Sequence, residues 1–351
     1  MKTDRSQTGQ AAKKIIDPEK PERSQKRSMQ KFLISVLFLL VAALVAQTQT
    51  TPISAQPQTA ERTELAKLNN EMLQSYKAAN YDEALKSGQQ ALSLSSRLFG
   101  EESPETASVS FNLGAVYRAK KQYAPAKDNF QRALAIYQKH FPQGSARVIA
   151  TYNELGLISY EKKETKEAEQ WFLKALELSE KLNGIENKET IAYVSSLATI
   201  YQLLKEYEKA EAYYWRARED AKKTLDGKGA QYEAYSDNYE CYTFTERDNL
   251  KDVLARRKEE RKASAGSREI INGKALILVR PPYPRGASPG SVMVKVQIDE
   301  TGNVITARAF CGPADLWPVS EAAALKSKFS PTLLKGVPVK VVGNIVYNFQ
   351  R

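Results

Sequence analysis

Between residues 60 and 226, small and large apolar residues recur at fixed places along the chain. Leu113-Gly114, Tyr117, Tyr123, Ala126, Phe130 and Ala133 set the pattern. Forty-two positions on stand Leu155-Gly156, Ala168, Phe172 and Ala175, and forty-two more bring Leu197-Ala198, Tyr201, Tyr207, Ala210, Tyr214 and Ala217. Moving back by the same step finds Tyr81, Ala84 and Ala91. Ala84, Ala126, Ala168 and Ala210 are evenly spaced, so four units share one register without slip.

Within a unit the spacing is helical. Leu113, Val116 and Tyr117 form an i, i+3, i+4 stripe, and Ala126, Phe130 and Ala133 form a second. Each unit therefore reads as two helices. An Ala or Gly at a helix crossing lets the backbones approach, and the large Phe or Tyr fills the space beside it. One helical pair cannot bury such stripes alone, so the units must stack. The first unit departs from the rule: Gly88 stands where the aromatic belongs, and Glu71 where the Leu belongs.

The signature Leu-Gly, Tyr, Ala, Phe, Ala at these offsets resembles the tetratricopeptide repeat. The period exceeds the usual 34 or so residues and is similar to that of kinesin light chains. The resemblance implies a concave groove, lined by the first helix of each unit, that binds extended peptides or partner helices. Asn69, Asn70, Asn112 and Asn153 fall on or near groove-facing positions. An Asn amide both donates and accepts, which suits capture of a peptide backbone; the plainer reading is a polar, exposed residue.

Residues 227–262 read as two capping helices. The run Arg256 to Lys262 alternates in charge, as a solvated helix face does, so no nucleic-acid partner is expected. Residues 263–273 read as a linker. Residues 274–351 change period. Arg280-Pro-Pro-Tyr283-Pro284 excludes a helix. Val292, Val294, Val296 and Ile298 alternate with Met293, Lys295 and Gln297, as in a strand with one buried face. Asp299 to Asn303 supplies a hairpin turn around Gly302, and Val304 to Cys311 a second strand. Ser320 to Phe329 is helical by propensity and stops before Pro331. Val337 to Phe349 is the last strand.

The order strand, strand, helix, strand describes a small α+β domain. It is similar to the TonB C-terminal domain in Tyr283-Pro284, Ile298-Asp299-Glu300-Thr301-Gly302-Asn303-Val304, Ala322-Ala323, Phe329-Ser330-Pro331, Gly336-Val337-Pro338-Val339 and Tyr347-Asn348-Phe349. The resemblance implies strand addition, in which a partner peptide pairs with the edge of the last strand. That edge comprises Val339, Val341, Gly343, Ile345, Tyr347 and Phe349. It further implies a periplasmic setting and a TonB-dependent outer-membrane transporter as partner. An inner-membrane motor is in question, because residues 32–46 hold no His and no long Pro-rich spacer follows. Pairing of the last strand with a second copy, giving a homodimer, is the other use of an open edge. The expected fold class is thus multidomain: an all-α tetratricopeptide superhelix followed by an α+β TonB C-terminal-like domain.

Charge and hydropathy place the chain in the cell envelope. Of a net charge of +11, residues 1–31 contribute nine Lys or Arg against four Asp or Glu. Their composition predicts disorder. Phe32 to Ala46 is an uncharged apolar run, short for a membrane span and suited to a signal-peptide core. Ile53-Ser54-Ala55 offers a cleavage site, and Met29 an alternative start. No Cys follows the run, which excludes a lipoprotein anchor. The expected location is the periplasm, either soluble after cleavage or anchored in the inner membrane by residues 32–46.

No catalytic, cofactor or metal site is expected. Cys241 and Cys311 form no CxxC and no Cys/His cluster, and whether they pair is left open. The only His, His140, is one period from Leu98 and Leu182, so it reads as an apolar structural position at a helix end, serving packing or capping. A Ser/His/Asp set cannot be assembled around it. Gly286 to Gly290 lacks the Lys and following helix of a phosphate loop. Two functions remain: a passive periplasmic scaffold, or an anchored energy transducer.

Overall fold

A computed structural model describes residues 59–264, 270–271 and 273–350. The apolar run 32–46, the candidate cleavage site and Met29 lie outside the described residues. The described chain divides into two units, one helical and one strand-rich.

The helical unit runs α1 (Thr59–Lys77), α2 (Tyr81–Phe99), α3 (Pro104–Ala119), α4 (Tyr123–His140), α5 (Ala146–Glu161), α6 (Thr165–Asn183), α7 (Lys188–Leu203), α8 (Tyr207–Thr224), α9 (Ala230–Thr245) and α10 (Lys251–Ser264). Sequence chemistry fixes the ends as regularly as the cores. Ser103, Ser145 and Asn187, one period apart, are the N-caps of α3, α5 and α7, and each accepts a backbone N–H of the first turn. Between the helices of each unit a left-handed residue recurs: Ala79, Lys121, Lys163 and Lys205, with φ from 60° to 66°.

Packing follows the small-and-large rule. A Cβ on Gly114 would stand 3.0 Å from the Phe130 ring, and one on Gly156 the same distance from Phe172. In the first unit the pair is exchanged. Met72 occupies the place of Gly114, and Gly88 that of Phe130. A Cβ on Gly88 would meet Met72 Sδ at 2.7 Å and Leu113 Cδ2 at 2.6 Å. Met72, 2% exposed, thus fills from α1 the space that Phe130 fills from the second helix. Two buried hydroxyl pairs, two periods apart, tie consecutive units: Ser95 with Thr106 at 3.1 Å and Ser179 with Thr190 at 2.7 Å.

His140 is not an apolar position. It is exposed at the end of α4, and its Nε2 lies 2.8 Å from the Glu102 carbonyl oxygen. Of the equivalent positions, Leu98 packs half-buried against the first unit's core, but Leu182 is itself 42% exposed.

The strand-rich unit is built on β3 (Gly290–Ile298), the centre of a three-stranded antiparallel sheet ordered β4 (Val304–Cys311), β3, β8 (Val341–Phe349). A 3-10 turn (Ala314–Leu316) leads into α11 (Trp317–Leu325). Its Ala323 and Ala324 pack with Val292, Val294, Val296, Ile345, Tyr347 and Phe349 in one core. Gly302 turns the β3–β4 hairpin at φ 88°, and a Cβ there would stand 1.9 Å from the Phe329 carbonyl oxygen. Two smaller sheets border the first. β2 (Ala275–Ile277) pairs with β5 (Lys328–Phe329), and β1 (Ile270–Ile271) and β7 (Val337–Val339) flank β6 (Thr332–Leu334).

Three expectations change here. The helix starts at Trp317, because Pro318 suits a first turn, and it ends at Leu325, because Phe329 is taken into pairing with Ala275. The last strand is two. Lys335 and Gly336, both at positive φ, fold Val337–Val339 back onto Thr332–Leu334, so Val339 pairs with Thr332 and leaves the β8 edge. The span 263–273 is not all linker, since α10 continues through Ser264 and β1 lies at Ile270–Ile271.

Candidate functional site

Two surfaces could engage a partner. On the helical unit, the first helices α1, α3, α5 and α7 carry two adjacent registers. Asn69, Phe111, Asn153 and Ser195 share one; Asn70, Asn112, Glu154 and Ser196 share the next. The four asparagines therefore do not form one row. Asn153 is 7% exposed. Asn69 keeps its Oδ1 shielded from solvent with no hydrogen-bond partner. Asn112 is half-buried and Asn70 exposed. A shielded amide oxygen without a partner is costly, and of the four asparagines only Asn69 has one; a backbone N–H of an extended peptide laid along the first helices would satisfy it.

At the register of Asn112, α5 presents Glu154, and this begins a network that sequence reading missed. Arg118, in the last turn of α3, donates from Nε to Glu154 Oε2 at 2.9 Å and from Nη1 to Glu161 Oε1 at 2.7 Å. Its side chain is 12% exposed and that of Glu154 only 2%. Burial opposes the Arg118 charge, but Glu154 and then Glu161 outweigh it and hold its pKa above the ordinary arginine range. Burial raises the Glu154 pKa against the pull of Arg118. Burial first, and then the Glu161 charge, raise the Tyr123 hydroxyl pKa at the start of α4. Burial also raises the Tyr76 hydroxyl pKa, against the pull of the Arg118 charge. One guanidinium thus joins the first helices of the second and third units. The signal available was a Glu where neighbouring units carry Asn or Ser.

On the strand-rich unit, β8 is an outer strand: β3 pairs with it from Gly290↔Phe349 to Ile298↔Val341. No described strand pairs with its other side. Ile345, Tyr347 and Phe349 point into the core, and Val341 and Gly343 are half-buried. Val342 is 65% exposed and Val346 39%. The named edge residues other than Val339 therefore belong to one strand. Their side chains serve the core, while an added strand would be met by their backbone and by Val342 and Val346.

Among the described residues no group of three or more His, Cys, Asp or Glu side chains could hold a metal ion. No described helix is long and apolar enough to cross a membrane.

Residues 74–139 and 147–223 match the tetratricopeptide repeat family model. No curated protein matches the chain. Among solved structures, a putative kinesin light chain from Podosopora anserina with nearly identical tetratricopeptide-like repeats is 16% identical, with a TM-score of 0.47, covering 61% of this chain and 100% of that one. BtubC (BKLC) from P. vanneervenii is 19% identical, with a TM-score of 0.44, covering 59% and 80%. The apo form of RapI is 19% identical, with a TM-score of 0.48, covering 62% of this chain and 56% of RapI. Residues 74–139 and 147–223 of the helical unit are thus tetratricopeptide repeats.

Proposed function

We propose that this chain is a periplasmic or envelope scaffold that holds a protein partner in its helical array and captures a peptide by strand addition on β8. Tetratricopeptide arrays are protein-interaction modules that offer extended concave surfaces. The observation that carries the second half is the outer position of β8. The likeness of residues 274–351 to the TonB C-terminal domain supports the same use of the last strand. It also supports a TonB-dependent outer-membrane transporter as the source of the peptide.

The test is a photo-reactive side chain placed at Val342 in the full chain, in its native cell. Crosslinks to one extended segment of an envelope protein are expected. Crosslinks no more frequent than from an equally exposed position such as Leu276 would overturn the reading.

The apolar run Phe32 to Ala46 favours a second reading, an inner-membrane-anchored energy transducer. Intact mass of the native protein separates the two. A chain beginning near Gln56 supports the soluble scaffold, and one retaining residues 29–55 supports the anchored transducer.

A further inference from the structure

The last three helices of the array hold an arrangement that the repeat pattern does not require. Trp215 on α8 packs edge-on against Tyr239 on α9, with centroids 5.3 Å apart. Two guanidiniums lie over the Trp215 ring: Arg257 at 4.8 Å and Arg218 at 5.2 Å from its centroid. Arg218 is also 5.4 Å from the centroid of Tyr239. Two like charges on one indole repel unless anions neutralise them.

One anion is present. Glu211, 1% exposed, accepts from Arg257 Nε at 3.2 Å and Nη2 at 3.4 Å, and from the Tyr239 hydroxyl at 3.0 Å. Arg257 and Glu211 thus form a matched pair. Arg218 has no such match. Its side chain is 19% exposed, its Nε is shielded from solvent with no hydrogen-bond partner, and its nearest carboxylate, Glu219, stands at 4.0 Å. A guanidinium buried to this degree ordinarily has hydrogen-bond acceptors.

The missing acceptor has a place to sit. A cavity of about 310 Å³ is lined by Arg218, Arg257 and Lys258, with Thr243 and Leu254, and by a single carboxylate, Glu240. We propose that this cavity is a carboxylate-binding site in which Arg218 receives the ligand, Lys258 adds long-range attraction, and the Trp215–Tyr239 pair fixes the plane of the Arg218 fork. The planar guanidinium matches a planar carboxylate with two parallel N–H donors. Glu211 already neutralises Arg257, and Glu240 offsets one of the two remaining cations. A monoanion is therefore the fitting ligand, rather than a phosphate dianion. The source is either a free small carboxylate or an acidic side chain of a protein partner.

The test uses the full chain labelled with ¹⁵N and follows the Trp215 indole resonance, identified by its loss in Trp215→Phe. The probes are acetate, a blocked peptide with one central Glu, inorganic phosphate, and chloride at equal ionic strength. A saturable shift with acetate or the Glu peptide is expected, weakened about tenfold or more in Arg218→Gln, as loss of a charge-assisted hydrogen bond requires. Lys258→Gln, an exposed change that leaves the fold alone, should weaken it about two- to fivefold through lost long-range attraction. Tighter binding of the peptide than of acetate assigns the ligand to a protein partner, and the reverse assigns it to a free carboxylate. A chloride response equal to that of acetate, saturation by phosphate alone, or no saturable shift with any probe would overturn the proposal. So would full retention of binding in both variants.

Discussion

The first repeat unit and the interior ones reach the same packing by opposite means. In the second and third units the first helix gives way, with Gly114 and Gly156, and the second helix fills, with Phe130 and Phe172. In the first unit α1 fills with Met72 and α2 gives way with Gly88. What the array conserves is a summed volume at the crossing, not a residue at a position. That is how close-packed interiors behave: total volume and pattern matter more than which partner supplies the bulk.

The most damaging way to break this comparison is to empty an interior crossing. Phe130→Ala should cost the array about 3–5 kcal/mol, because Phe130 is fully buried and Gly114 cannot expand to fill the space. Chemical denaturation followed by helical circular dichroism would show it. Next comes the link between units. Glu154→Ala leaves Arg118 charged and largely buried with only Glu161, at a cost of about 3 kcal/mol. Glu161→Ala, at the more exposed end, should cost about 1 kcal/mol or less. Equal losses from the two would show that Glu154 is not the principal partner.

The exchanged pair is sharpened by a double-mutant cycle. Gly88→Phe alone should cost about 1–3 kcal/mol through overlap with Met72 and Leu113. Met72→Gly alone should cost about 2–5 kcal/mol through the space it leaves. Made together they recreate the interior arrangement, so the pair should be more stable than the sum of the singles by about 1 kcal/mol or more. Strict additivity would mean that the two side chains do not share one hole.

The smallest effect is expected in the strand-rich unit, where local hydrogen bonds replace repeated packing. Asp299 accepts from Thr301 N at 2.9 Å, Thr301 Oγ1 at 2.8 Å and Asn303 N at 2.8 Å. The Thr301 hydroxyl first, then the Asn303 backbone, hold its pKa below the ordinary aspartate range. A depressed carboxylate stabilises the fold above its unfolded pKa and loses that contribution as pH falls through the folded value. The β3–β4 hairpin should therefore loosen slightly below about pH 4. Asp299→Asn should remove this part of the pH dependence, read from amide exchange at residues 299–303.

How much was legible follows the same division. The array could be read because its chemistry repeats: Ala84, Ala126, Ala168 and Ala210 fix the register, and one crossing explains four. The exchange of Met72 with Gly88 looked like a weak first unit, since a position-by-position comparison cannot see that two departures compensate across 16 residues. In the strand-rich unit, alternation located β3, whereas Ile345, Tyr347 and Phe349, named for the partner-binding edge, turn their side chains into the core. The break at Lys340 stayed hidden, because β-branched Val339 and Val341 flank it and the Lys335-Gly336 turn acts on the first three residues only. The Arg118 network was invisible because its members lie 36 and 43 positions apart, and no single helix face shows them together.

The central claim is that partners are held on two surfaces of different kind, the first helices of the array and the outer strand β8. Amide hydrogen exchange of the full chain, with and without the segment captured from Val342, tests it most directly. Strand addition predicts new protection at alternate amides between Val341 and Phe349, whose backbone would gain a ladder on its open side. Unchanged exchange along β8, with protection confined to the face of the sheet or to α11, would contradict it.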